Sequence, residues 1–160
     1  MPLKNGKWAY LATWLDLYSR QIVGWQLADN MQENLVREPL EKALLKRRVK
    51  SDLIIHSDRG GQYLSNKMKK LAAAAAVETF TLQQSMSRAD DPYDNAWAES
   101  LWSRLKAELD MPKGGYESIE ALRSVLFEYI DGYYNVRRLH SGLNYLNPIA
   151  FEALYYKKTG

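Results

Sequence analysis

Two carboxylates stand in contexts that could do chemistry. Asp58 lies in the run His56-Ser57-Asp58-Arg59-Gly60-Gly61-Gln62-Tyr63, directly after the short apolar segment Leu53-Ile54-Ile55. A carboxylate at the C-terminal end of a strand in an open α/β sheet stands where ligands usually bind. Asp58 and Gly60 are equally ordinary turn residues, so the same run also reads as a plain turn. Glu99 stands beside the Ala98/Leu101/Leu105 apolar stripe of a predicted helix, at the edge of the core; its bland reading is a solvated surface glutamate. Taken together, the pair suits a hard divalent cation. Two-metal phosphoryl transfer uses ions about 3.5–4 Å apart, one activating the attacking oxygen and one stabilising the leaving oxygen. Each ion keeps waters and takes one or two protein carboxylates, so two carboxylates are few for two metals.

Other chemistries are excluded or weak. The chain has no cysteine, which removes disulfides, thiolate metal sites and cysteine nucleophiles. Its two histidines, His56 and His140, cannot build a histidine-rich metal centre. Gly60-Gly61 lacks the spacing and lysine of a phosphate loop, and no zinc-type His-Glu-x-x-His occurs. Ser57 or Ser141 with a histidine would spell a triad, but no nucleophile elbow supports it. The basic residues Lys42, Lys46, Arg47, Arg48 and Lys50 read as a solvated helix face, with non-specific phosphate binding as the rival.

Composition bounds the rest. At 160 residues, 46% hydrophobic and 26% charged, with a net charge of +3, the chain has the make-up of one soluble globular domain spanning residues 1–160. That charge permits a polyanionic partner without demanding one. Lys4, Asn5, Gly6 and Lys7 break any signal-like apolar start, and no apolar run reaches the roughly 18 residues of a membrane span. A cytoplasmic protein with no membrane contact is expected.

The elements that must position these residues are legible as periodicities. Trp8–Leu15 and Gln21–Leu27 read as a hairpin of antiparallel strands, Gly24 marking a bulge. Gln32–Val49 is an amphipathic helix that Pro39 should kink or delay. Leu53–His56 is a short apolar run suited to a buried, partly parallel strand. Ser65 caps a helix running to Ala76, and Val77–Leu82 reads as a further strand. The polar stretch Ser85–Asp94 is turn-rich, with Asp91 and Pro92 as cap and first turn of a helix over Asn95–Leu109. Ser118 caps the next helix, whose apolar face is Ala121, Leu122, Val125, Leu126, Tyr129 and Ile130. Strands first, then alternation, then helices, give an α/β layer arrangement with a mixed sheet.

Four segments carry a family resemblance: WAYLATWLDLYSRQIVGW (8–25), HSDRGGQY (56–63), SMSRADDPYDNAWAESLWSRLKAEL (85–109) and YNVRRLHSGLNYLNP (134–148). They resemble the integrase catalytic core of IS3-type insertion-sequence transposases, relatives of retroviral integrases, across nearly the whole chain. The resemblance implies an α/β, RNase H-like mixed sheet flanked by helices, with a helical C-terminal part. It implies a DDE site in which two aspartates and a glutamate bind Mg²⁺ or Mn²⁺ for cutting and joining DNA. Carried over, Asp58 is the second aspartate and Glu99 the glutamate. Arg59, Gln62 and Lys106 lie near the DNA, meaning transposon ends and target, and the enzyme acts as a homo-oligomer. Arg137, Arg138 and His140 either bind phosphate or pack the terminal helices, with packing favoured for His140.

The resemblance also marks two departures. In the family the first aspartate lies on an opening strand ahead of the segment aligned with Gly6–Asp16, and this sequence starts after it. Asp16 matches a further family aspartate. The Asp58 to Glu99 separation exceeds the family spacing by about the length of the Ala72–Ala76 run. An unpaired sheet edge, reduced stability or edge-mediated association, and weak or absent strand transfer by these 160 residues alone are therefore expected. The rival readings are a non-catalytic DNA-binding or assembly module of the same fold, and an RNase H-like nuclease.

Overall fold

Aromatic and β-branched residues make Tyr10–Leu15 (β1) and Ile22–Ala28 (β2) an antiparallel hairpin. Asp16 builds the turn: its Oδ1 accepts the backbone N–H groups of Tyr18 (2.8 Å) and Ser19 (3.2 Å), while its Oδ2 takes a guanidinium N–H of Arg47 (2.6 Å). Arg20 closes the turn in the left-handed region, at φ 61°. Asp16 is thus wholly committed to structure. The expected bulge is present beside Gly24: Trp14 pairs with Gly24 but Leu15 pairs with Ile22, leaving Val23 as the extra residue. That slip changes the phase of β2, so Ile22 shares a face with Trp25 and Leu27. The strand begins at Tyr10, later than Trp8, because Trp8 is engaged in a lone antiparallel bridge with Pro2.

The computed structural model describes residues 1–47, 49, 52–58, 60–63, 65, 66, 68, 70, 71, 81–87 and 95–159. Helix α1, Asn34–Arg47, runs through Pro39 and buries Leu35, Val36, Leu40 and Ala43. It packs so closely on β2 that a Cβ at Gly24 would lie 2.4 Å from the Pro39 carbonyl oxygen, so glycine is required there. The Trp14 indole N–H donates to the Val36 carbonyl at 2.8 Å and fixes the helix over β1.

Leu53–Ser57 (β3) pairs in parallel with Leu82–Met86 (β4). Two expectations are corrected here. Strand β4 is the polar Leu-Gln-Gln-Ser-Met, so Ser85 and Met86, expected in a turn-rich stretch, belong to a strand; of the expected strand Val77–Leu82, residues 77–80 lie outside the described residues. The polarity of β4 is accommodated by side-chain bonds, such as Gln84 Nε2 donating to the Tyr63 carbonyl at 2.7 Å. And β3 is buried on one face only, since Ile54 is 66% exposed. Ser65 caps as expected, its Oγ accepting the Met68 N–H at 3.2 Å; the alanine run and the Asp91–Pro92 cap lie outside the described residues. The hairpin and the β3–β4 pair are two separate two-stranded sheets, and among the described residues no ladder joins β1 to β3.

The C-terminal half is helical: Ala96–Glu108 (α2), Ile119–Tyr129 (α3) and Pro148–Thr159 (α4). Ser118 Oγ caps α3 by accepting the Ala121 N–H at 3.1 Å, and Asn147 caps α4 through the Ala150 N–H at 2.8 Å, with Pro148 at the first helical position. Helix α3 widens into a π-turn over Ile130–Tyr134, which delivers Asn135 to the hairpin. Asn135, 4% exposed, accepts the Ile22 N–H at 3.0 Å and donates to the Ile22 carbonyl at 3.1 Å. Arg123 donates to the Leu27 carbonyl at 3.1 Å. Both ends of the outer edge of β2 are therefore engaged by side chains of the helical half. Among the described residues no helix is long and apolar enough to cross a membrane.

Strand β1 divides the interior. Ala9, Leu11 and Leu15 pack with Leu101, Leu105, Leu122, Leu126 and Ile130, while Tyr10, Ala12 and Trp14 pack with α1, Ile55, Met68 and Leu82. His140 packs, as favoured: it is buried with its ring edge-on to Tyr134, centroids 5.1 Å apart. Burial, reinforced by the positive charge of Arg138, lowers its pKa to about 4.

Two predictions follow from this packing. Asn135→Ala strands two buried backbone groups at about 1–3 kcal/mol each, against about 1 kcal/mol for Ser118→Ala, and urea unfolding will rank them so. Because the folded-state pKa of His140 lies below the usual 6.5, the unfolded chain takes up the proton first. Stability will therefore fall as pH drops from 6.5 towards 4, and His140→Gln will flatten that limb in pH-dependent melting.

Candidate active site

Asp58 follows β3 and is exposed. Its Oδ1 accepts the Gly60 N–H at 2.9 Å, and Gly60 in turn accepts the Tyr63 N–H at 2.9 Å, so the turn reading and the site reading describe one object. The turn orients the carboxylate while leaving oxygen lone pairs open to solvent. A Cβ on Gly60 would stand 2.9 Å from Gln62 Oε1 and 3.0 Å from Asp58 Oδ1, so the glycine lets both oxygens crowd one point. Tyr63 forms the floor, its ring edge-on to Trp14 at 5.8 Å between centroids. Burial, and secondarily the Asp58 charge, pushes its phenol up to about 12.

His56 is occupied across the sheet. Its Nδ1 lies 3.0 Å from Ser85 Oγ and its Nε2 3.2 Å from Ser87 Oγ, donor and acceptor exchanging with tautomer. With both ring nitrogens engaged it is a clamp between β3 and β4, and offers no free base to Ser57.

Glu99 stands exposed in the first turn of α2 and Lys106 exposed in its last. The helix start is held to the hairpin by Arg20, whose guanidinium carbon lies 3.6 Å above the Trp97 ring, a cation–π contact. A cavity of about 950 Å³ opens between β1, β3, α1 and α2. Asp58, Gln62 and Lys106 all line it; Glu99, two turns before Lys106, does not. Arg59 lies outside the described residues.

Asp58 and Glu99 each carry carboxylate oxygen, the donor type a hard divalent cation takes, but Glu99 does not line the cavity that Asp58 lines. The number of donors is short, because among the described residues no three acidic or imidazole groups converge. Sequence reasoning did not find Tyr63 as the floor, although it closes the same motif. The Arg20–Trp97 contact carries no local signal, being a long-range pairing between a turn and a helix.

Comparison with known proteins agrees with the motifs. The family described as Integrase core domain matches residues 1–92, and a second profile of the same description matches residues 81–148. The chain belongs to the integrase core domain family. The RNase H-like α/β class inferred from the motifs is borne out, as is the resemblance to an IS3-type transposase core. The chain is 40% identical over 152 residues to a transposase for insertion sequence element IS904 of Lactococcus lactis, covering 95% of this chain and 57% of that one. It is 37% identical over 145 residues to transposase InsF for insertion sequence IS3A of Escherichia coli K12, covering 91% of this chain and 48% of that one. This integrase core thus spans about half the length of the curated relatives it matches.

The Asp58–Tyr63 coupling is measurable. Asp58→Asn removes the negative charge that opposes phenolate formation, so Tyr63 will titrate below about 12 but still above 10, because burial remains. Ultraviolet phenolate titration of the two proteins checks this, and an unchanged Tyr63 titration would contradict the placement.

Proposed function

We propose that residues 1–160 act as one catalytic-core domain of a transposase that cuts and joins DNA at transposon ends by metal-dependent phosphoryl transfer. The observation that carries this reading is Asp58: a solvent-open carboxylate, oriented by the Gly60 N–H at a strand end, in a cavity that also presents Lys106. In this reading Asp58 and Glu99 hold Mg²⁺ or Mn²⁺, which supplies Lewis-acid stabilisation of the attacking and leaving oxygens. The Gly60 amide keeps the Asp58 carboxylate aimed. Lys106 presents a point charge to a DNA phosphate, and Arg59 and Gln62 contact the strand beside it. The third carboxylate of a DDE set is not among the residues that match the family motif here, so the 160 residues alone have weak strand transfer or none. The complete enzyme works on DNA in the cytoplasm as a homo-oligomer.

A second reading, a non-catalytic DNA-binding or assembly module, is favoured by one observation: Glu99 does not line the cavity that Asp58 and Lys106 share. A nuclease of the same fold would cut without joining.

Manganese titration by calorimetry separates these. The catalytic-core reading expects saturable binding that Asp58→Ala abolishes and Glu99→Gln weakens. Binding that survives Asp58→Ala, or DNA affinity with no response to metal, favours the module. Lys106→Ala is expected to weaken binding to a mixed-sequence duplex and reduce the slope of log affinity against log salt by about 1, the signature of one lost phosphate contact.

A further inference from the structure

A second, smaller cavity of about 230 Å³ lies where the hairpin turn meets α4. Asp16 and Tyr18 of the turn, Arg47 at the end of α1, and Glu152, Tyr155 and Tyr156 of α4 line it. Its charged groups are already matched to one another. Arg47 donates to Asp16 at 2.6 Å and to Glu152, and its other terminal nitrogen donates to Gln21 Oε1 at 2.9 Å. Arg47 thereby ties the turn to α4 and sets the aromatic walls that each contributes.

Those walls form a box. The Tyr155 ring stands nearly perpendicular to both neighbours, at 70° and 5.3 Å from Tyr18 and at 73° and 5.6 Å from Tyr156. Phe151 backs Tyr18, with centroids 5.2 Å apart. Tyr18, Tyr155 and Tyr156 are 57%, 45% and 61% exposed, and aromatic side chains gathered in a cavity and left in water mark a binding site. What binds is set by what is left unmatched. Arg47 answers both carboxylates, so the box does not call for a second cation, and its unused surface is aromatic face. The rim is basic: Lys46 shares the last turn of α1 with Arg47, Lys42 stands one turn earlier, Lys157 follows Tyr156, and all three are exposed. The basic run of α1 thus divides, Arg47 being structural and Lys42 and Lys46 open to a ligand. Aromatic faces flanked by cations suit an unpaired strand, whose bases stack on the rings while its phosphates meet the charges. A double helix cannot enter, because its bases are stacked on one another.

We propose that the box of Tyr18, Tyr155 and Tyr156 takes an unpaired DNA base, with Lys46 and Lys157 meeting the phosphates of that strand. Stacking reads no base edge, so the box accepts any of the four bases. The site needs neither Asp58 nor a metal ion, and it rests on the proposed function only in taking DNA as the partner.

The test titrates the full chain, in EDTA, into a single-stranded thymidine oligomer of about nine residues carrying one central 2-aminopurine, whose fluorescence falls when its base stacks on a ring. Saturable quenching is expected, with no further quenching of the same base in a duplex. Tyr155→Ala and Tyr18→Ala are each expected to weaken binding at least about fivefold, whereas Tyr155→Phe keeps the ring and the affinity. Tyr156→Ala, at the most exposed of the three positions, gives the same test should Tyr155→Ala fail to fold. Lys46→Ala is expected to reduce the slope of log affinity against log salt by about 0.7, one single-strand phosphate contact. Absence of quenching at saturation, equal quenching in the duplex, or Tyr155→Phe binding as weakly as Tyr155→Ala would each overturn the proposal. Displacement of the oligomer by arginine amide at matched ionic strength would overturn it too, by making the box a cation site. With metal removed throughout, none of these outcomes bears on metal binding at Asp58.

Discussion

Strand β1 packs on both faces, and that requirement organises the molecule. Leu11 and Leu15 pack into the helical half, while Tyr10, Ala12 and Trp14 pack against α1 and the second sheet. The Val23 bulge is a consequence. Without it Ile22 would point away from Trp25 and Leu27, and the helical half would lose one of its buried contacts. Gly24 follows from the same arrangement, because α1 reaches its position over β1 only by laying the Pro39 carbonyl on the neighbouring strand. A position with so little room tolerates no side chain, whatever its strand propensity.

The candidate site depends on this frame at second hand. Asp58 leaves β3 into a turn closed by its own carboxylate, and Tyr63 carries that turn back onto Trp14 of β1. Orientation is thus bought from the hairpin, while the carboxylate itself stays in water. This is the combination a metal ligand needs: a fixed direction with its lone pairs still available. Glu99 belongs to a different support, a helix whose start is pinned by Arg20 against Trp97. The two carboxylates are consequently held by independent parts of the fold, and their separation is set by how those parts meet.

What could be read from the sequence was local in origin. The hairpin, the Ser65 and Ser118 caps and the apolar face of α3 all announce themselves within a few residues, through alternation, a cap or a 3.6-residue period. The family motifs pointed to Asp58 and Glu99 for the same reason, being contiguous strings. What was missed depends on pairing at a distance. Strand β4 is polar and has no signal of its own, and it exists because β3 offers it a partner and His56 reaches Ser85 and Ser87. Asn135 looks like any polar residue until the π-turn sets its amide against Ile22.

The side-chain amide of Asn135 is chemically a peptide group, and at Ile22 it stands where the backbone of a neighbouring strand would stand. With Arg123 at Leu27, the helical half thus behaves as a terminator of the hairpin sheet. In the language of polymer chemistry, the two ends of β2 are blocked end groups: no further strand pairs with Ile22 or with the Leu27 carbonyl while Asn135 and Arg123 hold them. The C-terminal helices therefore do more than cover a core; they set the valency of the sheet.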